Sequence, residues 1–101
     1  MIDEHGKIEG SIHLDYDLTL HGIVTGDVFV AKGSVFVLHG ICSQNLVVDK
    51  SSQAYLHGIV NGNVHNNGGV LEIYGIVNGY VNTSEDGKTF IATTAVLRKG
   101  R

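Results

Sequence analysis

The chain of 101 residues contains no proline and no tryptophan, and a single cysteine, Cys42. One cysteine excludes an internal disulfide, and with it the stapled frameworks of small secreted scaffolds. Charged residues make up only 17% of the chain and the formal net charge is −3. That balance leaves no basic footprint for nucleic acid and no polybasic patch for a membrane surface. No apolar run approaches the length of a transmembrane helix, so no membrane span is expected. The opening MIDEHGKIEG lacks the basic flank and apolar stretch of a secretory signal. Together with the lone cysteine, this gives the expectation of a cytoplasmic location.

What is abundant is glycine, with 14 residues, alongside valine, isoleucine, threonine and tyrosine. Strong helix formers are sparse. Glycine-rich, β-branched composition disfavours helices and favours short strands joined by tight bends.

The glycines are not scattered. His21-Gly22, His39-Gly40 and His57-Gly58 recur at intervals of 18 and 18 residues, Tyr74-Gly75 follows 17 later, and His5-Gly6 lies 16 before His21. Around each pair the chain alternates. Leu20, Gly22, Val24, Gly26, Val28 and Val30 share one parity, while His21, Ile23, Thr25, Asp27 and Phe29 share the other. A period of two is a strand signal. A repeat of 16–18 residues cannot bury its apolar side alone, so it must stack on its neighbours.

These demands are met by a β-solenoid: an all-β, single-domain parallel β-helix over 1–101, with five to six rungs. Rungs are expected at about 5–20, 21–38, 39–56, 57–73 and 74–91. A C-terminal strand over 90–97 caps the rod, and a basic tail covers 98–101. Stacking places Leu20, Leu38, Leu56 and Ile73 in one inward column, with Ile8, Val24, Cys42, Val60 and Val77 in a second. Ile12, Val28, Leu46, Val64 and Val81 form a third. Two columns of glycine share that inward parity, broken only by Gln44, and mark a bend or a close backbone approach. The segments AKGS, DKSS and NNGG carry turn chemistry.

The motif apolar-x-Gly-x-apolar-x-Gly-x-apolar runs through Leu20–Val28, Leu56–Val64 and Ile73–Val81. It resembles the repeat of the bactofilins, the polymer-forming cytoskeletal proteins of bacteria, over about residues 5–82. That resemblance implies a right-handed parallel β-helix that assembles into filaments through its ends. A left-handed hexapeptide helix of the acyltransferase type is the competing solenoid. Its six-residue comb through Leu18, Val24, Val30, Phe36, Cys42, Val48, Ala54 and Val60 is broken by the rungs of 16 and 17, so right-handedness is favoured.

Two outward columns stand out. His5, His21, His39 and His57, continued by Tyr74, form a ladder of rings with about 5 Å between neighbours. Adjacent imidazoles suit zinc, but a tetrahedral site needs converging ligands, and a straight file with no carboxylate or thiolate beside it does not converge. The ladder is therefore read as self-stacking, and protonation would put like charges on successive rungs below about pH 6. Beside it run Ile23, Ile41, Ile59 and Ile76. An exposed apolar stripe marks a partner surface, unless the bend at glycine turns these side chains partly inward or a terminal segment covers them.

Cys42 reads as a buried small hydrophobe. The aspartates Asp15, Asp17, Asp27 and Asp49 offer no pair for acid–base chemistry, and the glycine pairs precede no helix that could hold a phosphate. No catalytic, cofactor-binding or metal-binding residues are expected. The reading is a non-enzymatic, bactofilin-like scaffold that self-associates into an oligomer or filament. The alternative is a small binding module, such as an immunity protein or antitoxin, that offers one flat face to a specific protein. In either case the candidate interaction face is His21, Ile23, His39, Ile41, His57, Ile59, Tyr74 and Ile76.

Overall fold

The rungs bend at the glycine positions, with Gln44 standing for glycine in one of them, and again at a polar turn, and the strands between these bends line up with those of the next rung. The computed structural model describes residues 1–99. It contains seventeen short strands, numbered in chain order, in three parallel sheets that form the three sides of a rod. The first sheet comprises β1 (Ile2–Glu4), β4 (Leu18–Leu20), β7 (Val35–Leu38), β10 (Gln53–Leu56), β13 (Val70–Ile73) and β16 (Lys88–Ile91). The second comprises β2 (Lys7–Ile8), β5 (Ile23–Val24), β8 (Ile41–Cys42), β11 (Ile59–Val60), β14 (Ile76–Val77) and β17 (Val96–Leu97). The third comprises β3 (Ile12–Leu14), β6 (Val28–Val30), β9 (Leu46–Val48), β12 (Val64–Asn66) and β15 (Val81–Thr83). This is a β-solenoid of about five turns with a repeat near 18 residues. Among the described residues there is no helix, and hence none long and apolar enough to cross a membrane.

The three apolar columns read from the sequence are in register. Leu20, Leu38, Leu56 and Ile73 pair in succession on the first side, Val24, Cys42, Val60 and Val77 on the second, and Val28, Leu46, Val64 and Val81 on the third. All of these are buried. Burying apolar area from three sides into one continuous core supplies the main driving force of the fold.

Both ends differ from expectation. At the N-terminal end, β1 adds residues 2–4 to the rod, with Ile2 paired to Leu18 and Glu4 to Leu20. At the C-terminal end, the single capping strand expected over 90–97 is two strands, β16 and β17. They continue the first and second sheets, Ile91 on Ile73 and Val96 on Ile76. The turn between them bends the segment where one straight strand was expected: the Ala95 N–H donates to the Ala92 carbonyl at 3.0 Å. Of the basic tail expected over 98–101, residues 100 and 101 lie outside the described residues.

The glycine columns do not point into the core. A Cβ built on Gly58 would lie 2.0 Å from the Gly40 carbonyl oxygen, and one on Gly40 would lie 1.8 Å from that of Gly22. The vector runs along the rod axis, onto the rung beneath. Neither glycine has a positive φ, so the requirement is for close approach and not for a left-handed backbone. In the glycine columns only Gly10, in the first rung, is left-handed (φ 85°); the other left-handed residues sit in the polar turns, at Lys32 (φ 56°), Gly33 (φ 76°), Ser51 (φ 64°) and Gly68 (φ 122°).

Candidate functional site: a groove between the histidine and isoleucine columns

From His5-Gly6 to Tyr74-Gly75 the corner between the first and second sides is only two residues long. From His21-Gly22 onward, both N–H groups of each of these corners donate to one carbonyl of the rung beneath. Those of His57 and Gly58 share the Leu38 oxygen, each at 2.8 Å, and those of Tyr74 and Gly75 share that of Leu56 at 2.8 and 2.9 Å. The shared acceptor fixes the bend, and the glycine carbonyl then receives the next isoleucine N–H. Ile41, Ile59 and Ile76 donate to Gly22, Gly40 and Gly58, each at 3.0 Å.

This sharp corner makes the outer surface concave. The ring column forms one wall, the isoleucine column the other, and the glycine backbone the floor. The result is a groove of about 940 Å³ running along the rod from Lys7 to Val96. All eight residues of the expected interaction face line it. The expectation of a flat face is corrected: a bend of two residues cannot keep both columns in one plane. Ile23 is 38% exposed, while Ile41, Ile59 and Ile76 are half-buried, so the bend does turn the stripe partly inward.

The rings form a continuous stack. Centroids of His5 and His21 are 4.4 Å apart, His21 and His39 5.1 Å, His39 and His57 5.0 Å, and His57 and Tyr74 4.9 Å, with interplanar angles of 6–12°. These are rung spacings, so the sheet register imposes the stack. It ends at Phe90, tilted by 53°. Phe90 pairs in register with Glu72 rather than Tyr74. The Tyr74 hydroxyl donates to Glu72, and that hydrogen bond to a carboxylate pushes the phenol pKa upward. Contrary to expectation, a carboxylate does lie beside the histidine ladder: Asp3 Oδ1 is 3.8 Å from His21 Nε2. β1, which carries Asp3, was not expected to be part of the rod. Among the described residues no three His, Cys, Asp or Glu side chains converge as metal ligands.

Cys42 lies in the core column, with its sulfur 3.5 Å from the Asn45 carbonyl oxygen. Burial pushes the thiol up to about 11, which leaves it protonated and unreactive at neutral pH.

A second ladder, absent from the sequence reading, braces the corner between the second and third sides. The N–H of Asn45 donates to Asp27 Oδ1, that of Asn63 to Asn45 Oδ1, and that of Tyr80 to Asn63 Oδ1, each at 2.8 Å. The Asp27 N–H donates to Ser11 Oγ at 2.9 Å. The available signal was an oxygen-bearing side chain immediately before the core residues Ile12, Val28, Leu46 and Val64.

At the N-terminal edge, Glu4 occupies the first position of the leucine column. The Gly6 N–H has no rung beneath it and donates to Glu4 Oε2 at 3.1 Å. The carboxylate thus replaces the carbonyl that serves each later glycine.

No family model matches the chain, and comparison with curated proteins and with solved structures finds no match.

Proposed function

We propose that this chain is a non-enzymatic interaction module that engages its partner laterally, along the histidine–isoleucine groove. The observation carrying this reading is that concave surface itself. It is a single apolar depression as long as the rod, with Ile23 and Val96 left 38% and 44% exposed. Concave, mostly apolar surfaces with a few polar groups are where small proteins take up partners. An immunity protein or antitoxin is one form such a module takes.

The second reading is bactofilin-like self-association through the ends. It is favoured by the uncovered edges, with Asp3, Glu4 and Glu9 at one end and Lys88, Arg98 and Lys99 at the other. Glu4 weighs against it. A copy stacked beneath would put that carboxylate against the apolar column ending in Ile91, and an unpaired buried charge is costly. The sides are also unequal, with six, six and five strands.

A photocrosslinking residue placed at Ile59, and separately at Val47 on the third side, tests the lateral reading in the native host. Adducts with a discrete partner at Ile59 and none at Val47 support it. Adducts only between copies of the chain, from positions in β1 and β16, would replace it with the end-to-end reading.

A further inference from the structure

The geometry points to a linear single-chain carboxylate, a free long-chain fatty acid, as the ligand of the groove. This rests on the lateral-groove reading and names its occupant. The isoleucine wall is not uniform. In register it reads Lys7, Ile23, Ile41, Ile59, Ile76 and Val96: one cation followed by five apolar side chains in a straight file. That order is the complement of an anionic head and an aliphatic tail. No carboxylate is among the residues lining the groove. The nearest counter-charge to the ammonium group is Glu9, 3.6 Å away, with both side chains well exposed, so the pair is weak and a ligand carboxylate can displace it.

The floor decides against an extended peptide. Peptides that bind along β-structure do so by adding main-chain hydrogen bonds to a free edge. Here the main chain is occupied by the rungs. The carbonyls of Gly22, Gly40, Gly58 and Gly75 accept from Ile41, Ile59, Ile76 and Val96, and the N–H groups of Gly22, Gly40, Gly58 and Gly75 donate to the rung beneath. On the opposite wall the rings cover each other's faces at 4.4–5.1 Å. The isoleucine wall and the glycine floor therefore suit a ligand that needs no main-chain hydrogen bonds along its length. From Ile23 to Val96 are four rung steps, about 19 Å. That is enough for the acyl chain of one bilayer leaflet, roughly 15 Å.

The test is titration of the full chain with palmitate, with cetyltrimethylammonium as a probe bearing a similar tail and the opposite head charge. The expected result is saturable one-to-one binding of palmitate and markedly weaker binding of the cation. Lys7→Glu is expected to weaken palmitate about tenfold or more and to narrow or invert the preference. Ile59→Asp should abolish binding while the far-ultraviolet circular dichroism stays that of the wild type. Should that variant fail to fold, Ile59→Ala is expected to weaken binding severalfold. Absence of saturable palmitate binding, equal binding of the two amphiphiles, or affinity untouched by Lys7→Glu or by the Ile59 variants overturns the assignment. A protein partner crosslinked at Ile59 with no palmitate binding overturns it too, while leaving the lateral reading standing.

Discussion

Replacing Gly58 by alanine should cost far more than replacing Gly6, although the two glycines occupy the same position of the repeat. At Gly58 the new Cβ would lie 2.0 Å from the Gly40 carbonyl oxygen and 2.8 Å from the His39 carbonyl carbon. Both are backbone atoms held in the ladder, so the rungs must part by more than an ångström to restore contact. Parting them strains the hydrogen bonds from Gly58 to Leu38 at 2.8 Å and from Ile59 to Gly40 at 3.0 Å. Each lost bond costs about 1 kcal/mol or more, and overpacking adds about 1–3 kcal/mol. The sum is about 3–5 kcal/mol, out of the roughly 5–15 kcal/mol available to a domain of this size. At Gly6 the nearest atom to a new Cβ is Glu4 Oε2 at 3.4 Å, an ordinary contact, and φ is not positive. Gly6→Ala should therefore lie within about 0.5 kcal/mol of wild type or stabilise slightly through the unfolded state. Chemical denaturation of both variants reads the difference directly. Equal losses at the two positions would refute the reasoning, because they would place the requirement in the local backbone and not in contact between rungs.

Two further outcomes follow from the same contacts. Cys42→Val, which matches Val24 and Val60 in its column, should be nearly neutral at pH 7 and alter the alkaline limb of stability. The folded thiol titrates at about 11 against an ordinary 9.0, so the folded state holds its proton longer. The wild type should then lose roughly 2–3 kcal/mol as the pH rises from about 9 to about 11, a loss the variant lacks. Asn45→Ala removes the acceptor for the Asn63 N–H and should destabilise by about 1–2 kcal/mol, whereas Ser43→Ala two residues earlier should change little, both read by chemical denaturation.

Which features the sequence disclosed follows from which forces are periodic. Leu20, Leu38, Leu56 and Ile73 could be stacked on paper because alternation selects a face and the 16–18-residue interval selects a rung. The ring and isoleucine columns followed from the same count. The groove did not, because parity distinguishes in from out but says nothing of the angle between successive sides. That angle is set by His57 and Gly58 sharing one carbonyl. The inward glycines were misjudged for a related reason: alternation holds along a straight strand and fails at a corner, where the Cβ position turns onto the rung beneath. Gln44, the one side chain in the second glycine column, is exposed accordingly. The ladder through Asp27, Asn45 and Asn63 was hidden because polar residues before an apolar one look like ordinary surface. β1 was missed because Ile2-Asp3-Glu4 carries no repeat motif; it gains its place only by pairing with β4.

The isoleucine methyl groups report on the central claim, that the working surface is the lateral groove and not the ends. Four of them, Ile23, Ile41, Ile59 and Ile76, line the groove. Ile2, Ile8, Ile12 and Ile91 belong to the terminal rungs, and Ile73 is buried in the core. Methyl-selective NMR on isoleucine-labelled protein, recorded across a dilution series and then with the bound partner, separates the surfaces in one set of spectra. The account predicts spectra unchanged by dilution, and shifts on binding confined to Ile23, Ile41, Ile59 and Ile76. Concentration-dependent shifts at Ile2, Ile8, Ile12 and Ile91, with the groove methyls unmoved, would contradict it.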